Sequence, residues 1–172
     1  MKRITTSARA AFAGALWAAV AASQFQGAAQ AAESAQIARG RYLARIAGCN
    51  DCHTAGYAES GGAVAESAWL TGSPVGWQGP WGTTYPGNLR LLMQRLSERE
   101  WLLRARQPLR PPMPWFALRD MSDADLKSIY RFVRSLGPAG EPSPAFVPPG
   151  RTPPGPYFDF VPRNLPVQTG RP

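Results

Sequence analysis

The chain has 172 residues, with 19 lysines and arginines against 11 aspartates and glutamates, a formal charge of +8. That length accommodates one folding unit of roughly a hundred residues with flanking segments. The basic balance does not point to nucleic acid, because the arginines are scattered and no nucleic-acid-binding motif accompanies them. An acidic protein partner accounts for it better.

Lys2 and Arg3 open the chain, and an alanine-rich apolar run follows over residues 10–22. Small residues then lead to Ala29-Gln30-Ala31, an A-x-A cleavage signal. Together these regions predict a secretory signal peptide over residues 1–31. The run is too short and too rich in alanine for a membrane-spanning helix, which needs about 20 apolar residues. Cleavage after Ala31 removes Lys2, Arg3 and Arg9, so the formal charge falls from +8 to +5. The mature form is expected outside the cytoplasm, in the periplasm, without a membrane span.

The first helix is predicted over residues 35–47, where Ile37, Tyr42, Leu43 and Ile46 fall close to helical spacing. Directly after it comes Cys49-Asn50-Asp51-Cys52-His53, which holds both cysteines and the single histidine of the chain. C-x-x-C-H is the spacing of c-type haem attachment. The two thiols can add across the two vinyl groups of one porphyrin, and His53 can give its imidazole to the iron. The other readings of this motif are weaker. A thioredoxin-like pair belongs after a strand in a βαβ unit, and no such pattern surrounds it. A zinc site needs four ligands and would have to take its fourth from a carboxylate. A plain disulfide suits an oxidising compartment but leaves His53 unexplained. Without a second C-x-x-C-H, one haem per chain follows.

Residues 71–88 are rich in glycine, proline and tryptophan. A loop this long is hard to justify in a small domain, but it can wrap one side of a flat cofactor. Trp77, Trp81 and Tyr85 either cover porphyrin there or pack a small core. Trp81 and Tyr85, with Trp101 beyond them, are the candidates for haem packing or propionate contacts.

The second helix starts at Ser97-Glu98-Arg99-Glu100, a capping box, and runs through Trp101, Leu102 and Ala105. The third is capped by Ser122, with Asp123 and Asp125 complementing its dipole. Leu126, Ile129, Tyr130, Val133 and Leu136 repeat at helical intervals until Gly137-Pro138 ends the helix. No period-2 strand stands out. The tail over residues 138–172 holds eleven prolines and is predicted to be extended. Its aromatics, Phe146, Tyr157, Phe158 and Phe160, place it along an apolar surface, either the chain's own or a redox partner's.

With the single histidine used, methionine is the remaining axial ligand, since a thioether favours ferrous iron. Met93 reads as core filler, and Met121 as a hydrophobic staple onto the third helix. Met113 lies in Arg110-Pro111-Pro112-Met113-Pro114-Trp115, where three prolines stiffen the loop and remove backbone donors. Met113 is therefore assigned as the second ligand.

These residues resemble class I c-type cytochromes. The shared pattern is a helix with Gly40, Tyr42 and Leu43, then Cys49–His53, a Met-Pro loop, and a last helix ending at Leu136. Pro112-Met113-Pro114-Trp115, Met121-Ser122-Asp123-Ala124-Asp125-Leu126, Gly82-Thr83-Thr84-Tyr85 and Asn88-Leu89 look most like the cytochrome subunits of bacterial alcohol-dehydrogenase complexes. Those subunits generally carry several such domains, whereas this chain carries one. The resemblance covers about residues 35–140. It implies an all-α class I cytochrome c fold over residues 32–137 around one covalent haem c. It further implies a close crossing of first and last helices, with Gly40 against Tyr130 or Val133. A proline carbonyl, from Pro74 or Pro80, would orient His53 through its other ring nitrogen.

The expected function is one-electron transfer in the periplasm, cycling Fe(III)/Fe(II) between a dehydrogenase or membrane complex and another cytochrome or an oxidase. No separate catalytic constellation is visible. The rivals are a dedicated subunit of a dehydrogenase complex, and a haem sensor or enzyme whose Met113 dissociates.

Overall fold

In a computed structural model of the chain, residues 7–164 are described, with side chains from Gln24 onward except Phe25. The charged start of the expected signal peptide, Lys2 and Arg3, lies outside the described residues. Helix α1 spans Ser7–Ile46, so the helix predicted from residue 35 is the end of a longer one. Among the described residues, no helix is long and apolar enough to cross a membrane.

The C-terminal part of α1 packs against α6, Asp123–Ser135, in the most extensive helix contact of the structure. Gly40 makes this crossing possible. A Cβ there would overlap the Ser128 carbonyl and come 2.7 Å from the Phe132 Cβ. The close approach expected from the sequence is present, but the residues beneath Gly40 are Ser128 and Phe132 rather than Tyr130 or Val133. Tyr130 sits one face further round and donates to the Leu96 carbonyl at 2.8 Å.

Both predicted caps form. Ser97 starts α4, Glu98–Ala105, with a reciprocal box in which the Ser97 N–H donates to Glu100 Oε2 at 2.7 Å. The Ser122 hydroxyl accepts from the Asp125 N–H at 3.1 Å at the start of α6. Three short helices were not foreseen, α2 (Cys49–His53), α3 (Leu89–Arg95) and α5 (Trp115–Asp120). Each has seven residues or fewer, too few turns to display a helical period.

The expectation of an all-α chain is corrected by a small sheet. Strands β1 (Gly76–Gly79) and β2 (Gly82–Thr84) pair antiparallel, and β3 (Tyr157–Asp159) pairs parallel to β1, in the order β2-β1-β3. Strands of three or four residues are too short for alternation to be read. One of them comes from a tail rich in proline, which ordinarily argues against strand.

The core gathers Leu43, Trp69, Leu70, Met93, Trp101, Leu126, Ile129, Phe132 and Val133. Met93 is fully buried, in keeping with its reading as filler. Arg90 is also buried, and its guanidinium donates to the carbonyls of Ser67 and Gly137, each at 2.6 Å, and of Leu136. A cation at the C-terminal carbonyls of α6 both satisfies them and complements the helix dipole.

Candidate functional site

Cys49–His53 forms its own one-and-a-half-turn helix, α2, separated from α1 by a turn at Gly48. Gly48 has φ 72°, a conformation glycine adopts without steric cost. The helical turn places the two cysteines on one side of a short element, three residues apart. Both are free thiols and half-buried. Burial pushes the Cys49 thiol up to about 11, with the nearby Asp51 charge adding to the effect. Burial raises the Cys52 thiol in the same direction. The resting thiols are therefore protonated at neutral pH.

His53 is held by two backbone contacts. Its own carbonyl accepts from the Gly72 N–H at 2.8 Å. Its Nδ1 lies 2.7 Å from the Gly87 carbonyl, which as an acceptor requires the proton on Nδ1. Burial lowers the imidazole's affinity for a second proton, and the Gly87 bond only partly opposes this. The ring is thus neutral, with the lone pair on Nε2 left for a ligand. The carbonyl that orients His53 is Gly87, not Pro74 or Pro80. Gly87 lies beyond both prolines, at the end of the same loop, and no residue type marks a backbone carbonyl in a sequence.

Asn50 and Thr54 secure the motif from beneath. Thr54 Oγ1 donates to Asn50 Oδ1 at 2.8 Å and accepts from the Leu70 N–H at 2.7 Å. Both side chains are buried, and neither was singled out in the sequence.

The loop candidates divide. Trp81 Nε1, Thr84 Oγ1 and Tyr85 OH are buried without a hydrogen-bond partner among the described residues. Buried donors are nearly always paired, so these three, with Asn50 Nδ2, stand out as unpaired among the described residues. Trp101 differs, because its Nε1 donates to the Leu126 carbonyl at 2.8 Å and cannot also serve a propionate. Trp77 faces the tail, with its ring centroid 4.9 Å from Phe158 and 5.2 Å from Phe160.

Met113 is half-buried on the loop before α5 and packs on the same apolar cluster that Cys49 borders. Its N–H donates to the Arg110 carbonyl at 3.2 Å, and its carbonyl accepts from Trp115 at 2.8 Å. Met121 also packs on that cluster, just before the Ser122 cap. Among the described residues no group of three or more His, Cys, Asp or Glu side chains could hold a bare metal ion.

The site fits a haem on these observations. The chain offers two neighbouring thiols, an imidazole with a free Nε2, a thioether on a stiff loop, and orphaned donors suited to propionates.

The chain is similar to one of the subunits of nicotinate dehydrogenase from Pseudomonas putida, with 26% identity over 125 residues. The match takes in 65% of this chain and 10% of that protein, so the chain spans a small part of its relative's length. The similarity is to a component of an oxidoreductase. No family model and no solved structure matches the chain.

Proposed function

We propose that this protein is a periplasmic monohaem c-type cytochrome, a one-electron carrier rather than an enzyme in its own right. The observation that carries the reading is the state of His53. Its Nδ1–H is anchored on Gly87 while Nε2 remains free, directly after two thiols on one helical turn. An axial imidazole needs such an outer partner, which fixes its tautomer and raises its basicity.

Cys49 and Cys52 would hold the group covalently, and His53 and Met113 would hold its iron. Trp81, Thr84 and Tyr85 would donate to its carboxylates. When bound, haem supplies a reversible Fe(III)/Fe(II) couple, and thioether ligation shifts that couple toward the reduced form. The work of the chain would be to hold His53 and Met113 in place and to donate to the group's carboxylates.

The similarity to a dehydrogenase component supports a narrower reading. In it the electron donor is a dehydrogenase, and this chain is a dedicated component of the complex, passing electrons to another cytochrome or an oxidase. Cleavage after Ala31 would deliver the chain to the compartment where haem is attached.

Intact mass tests the proposal. The exported protein should match a chain starting at Ala32 plus one haem, and acidified solvent should not extract the pigment, because thioethers are covalent. Haem that leaves in acid, or a mass without it, contradicts the reading. Co-purification of a dehydrogenase from periplasm supports the narrower form.

A further inference from the structure

Three residues of the tail, Ser143, Phe146 and Val147, touch the loop that orients His53 and the loop that presents Met113. Ser143 Oγ donates at 2.7 Å to the carbonyl of Pro86, the residue before Gly87, whose carbonyl holds His53. Val147 exchanges two backbone hydrogen bonds with Thr83, at 2.8 and 3.0 Å, and passes so close to Gly82 that a Cβ there would overlap its carbonyl. Between these two anchors, the Phe146 ring lies 4.2 Å under the guanidinium carbon of Arg110. Arg110 in turn accepts the Met113 N–H on its carbonyl, at 3.2 Å. Residues 143–147 thus bridge the loop that orients His53 to the loop that presents Met113. The bridge has two fixed ends and one aromatic contact in the middle.

We infer that Phe146 is a positioning residue for Met113, acting through its contact with Arg110; the inference rests on the haem reading above. The loop over residues 110–114 is held by its own turn hydrogen bonds and by Met113 packing on the apolar cluster. Its prolines remove backbone donors, and Arg110 itself is exposed. The Phe146 face adds a contact from the tail at the Arg110 end of this loop. Met113 is not changed chemically by Phe146. What the contact alters is how readily the thioether leaves its place.

The test is competition for the sixth position of the ferric holoprotein by exogenous imidazole, in the full chain carrying Phe146→Ala, Arg110→Ala, both changes, or Phe146→Tyr. Each alanine variant should bind imidazole about two- to fivefold more tightly than the parent, the equivalent of losing one partly exposed cation–π contact. The double variant should show no more than either single one, since both changes break the same contact. Phe146→Tyr, which keeps the ring, should restore the parent affinity. A merely structural role would lower the melting temperature of the alanine variants and leave imidazole affinity unchanged, which overturns the inference. Effects that multiply in the double variant overturn it as well. A chain that takes up no covalent haem refutes both this inference and the reading beneath it. Covalent haem whose imidazole affinity ignores Met113→Ala refutes Met113 as a ligand, and this inference with it, while the reading of one covalent haem stands.

Discussion

Met113 and His53 differ in what fixes them. His53 is bonded through Nδ1 and through its own carbonyl, whereas Met113 has only a loop and an apolar cluster. Replacing Met113 with alanine should therefore remove the weak red-region charge-transfer band of Met-ligated ferric haem and lower the potential, since a thioether favours Fe(II). The same change at Met93, fully buried in the core, should cost stability of about 2–5 kcal/mol and leave the band in place. A band that survives in the Met113 variant argues against this ligand. At this scale the sequence was readable wherever chemistry depends on residue type. The glycine at the helix crossing was readable in this way, and the roles proposed for Cys49, Cys52, His53 and Met113 rest on residue type and spacing. The Gly87 carbonyl and the Asn50–Thr54 pair were not readable, because the first is backbone and the second consists of ordinary polar residues whose role comes only from burial.

Helices α4 and α6 begin where their capping residues stand, and their boundaries were legible for that reason. Arg39, on α1, donates to Asp125 in the first turn of α6 at 3.0 Å, adding a charge contact to the crossing at Gly40. The Arg39 hydrogen bond holds the Asp125 carboxyl below the usual carboxylate range, partly opposed by desolvation. A carboxylate with a depressed folded pKa contributes stability that is present above its unfolded pKa and lost as pH falls through the folded one. Arg39→Ala should thus cost about 0.2–1 kcal/mol at neutral pH, as expected for a solvent-screened pair. The difference between variant and parent in chemical denaturation should disappear once the acid is strong enough to protonate Asp125. A difference that stays constant into that acid range would mean Arg39 contributes by packing of its stem instead. The strands were illegible because β1 and β2 are too short to show alternation and the pairing of β3 with β1 is a tertiary event. Nothing within Tyr157–Asp159 announces a strand, and Gly76–Gly79 supplies its partner from far away in the chain.

For the molecule as a whole, the tail is part of the fold. Its backbone pairs with β1 and with Thr83, and Phe158 and Phe160 lie against Trp77. Ending the chain after Pro144 should therefore lower the melting temperature of the isolated protein, and an unchanged melting temperature would mean that these contacts belong to a partner instead. Because Gly76 pairs with Tyr157, and Gly40 lies on Ser128, neither contact can form until the last third of the chain has been made and, on the proposed route of export, has crossed the membrane. N-terminal segments emerge first, and contacts between distant residues must wait for the loop between them to close. During that interval Cys49 and Cys52 belong to an open chain, without the burial that later raises their thiols. Emergence in this direction gives the motif a period of exposure before the crossing of α1 with α6 and then the pairing of β3 with β1 complete the fold. The order of the sequence sets a timetable, in which the cysteine motif is made early and the last-made residues complete the fold.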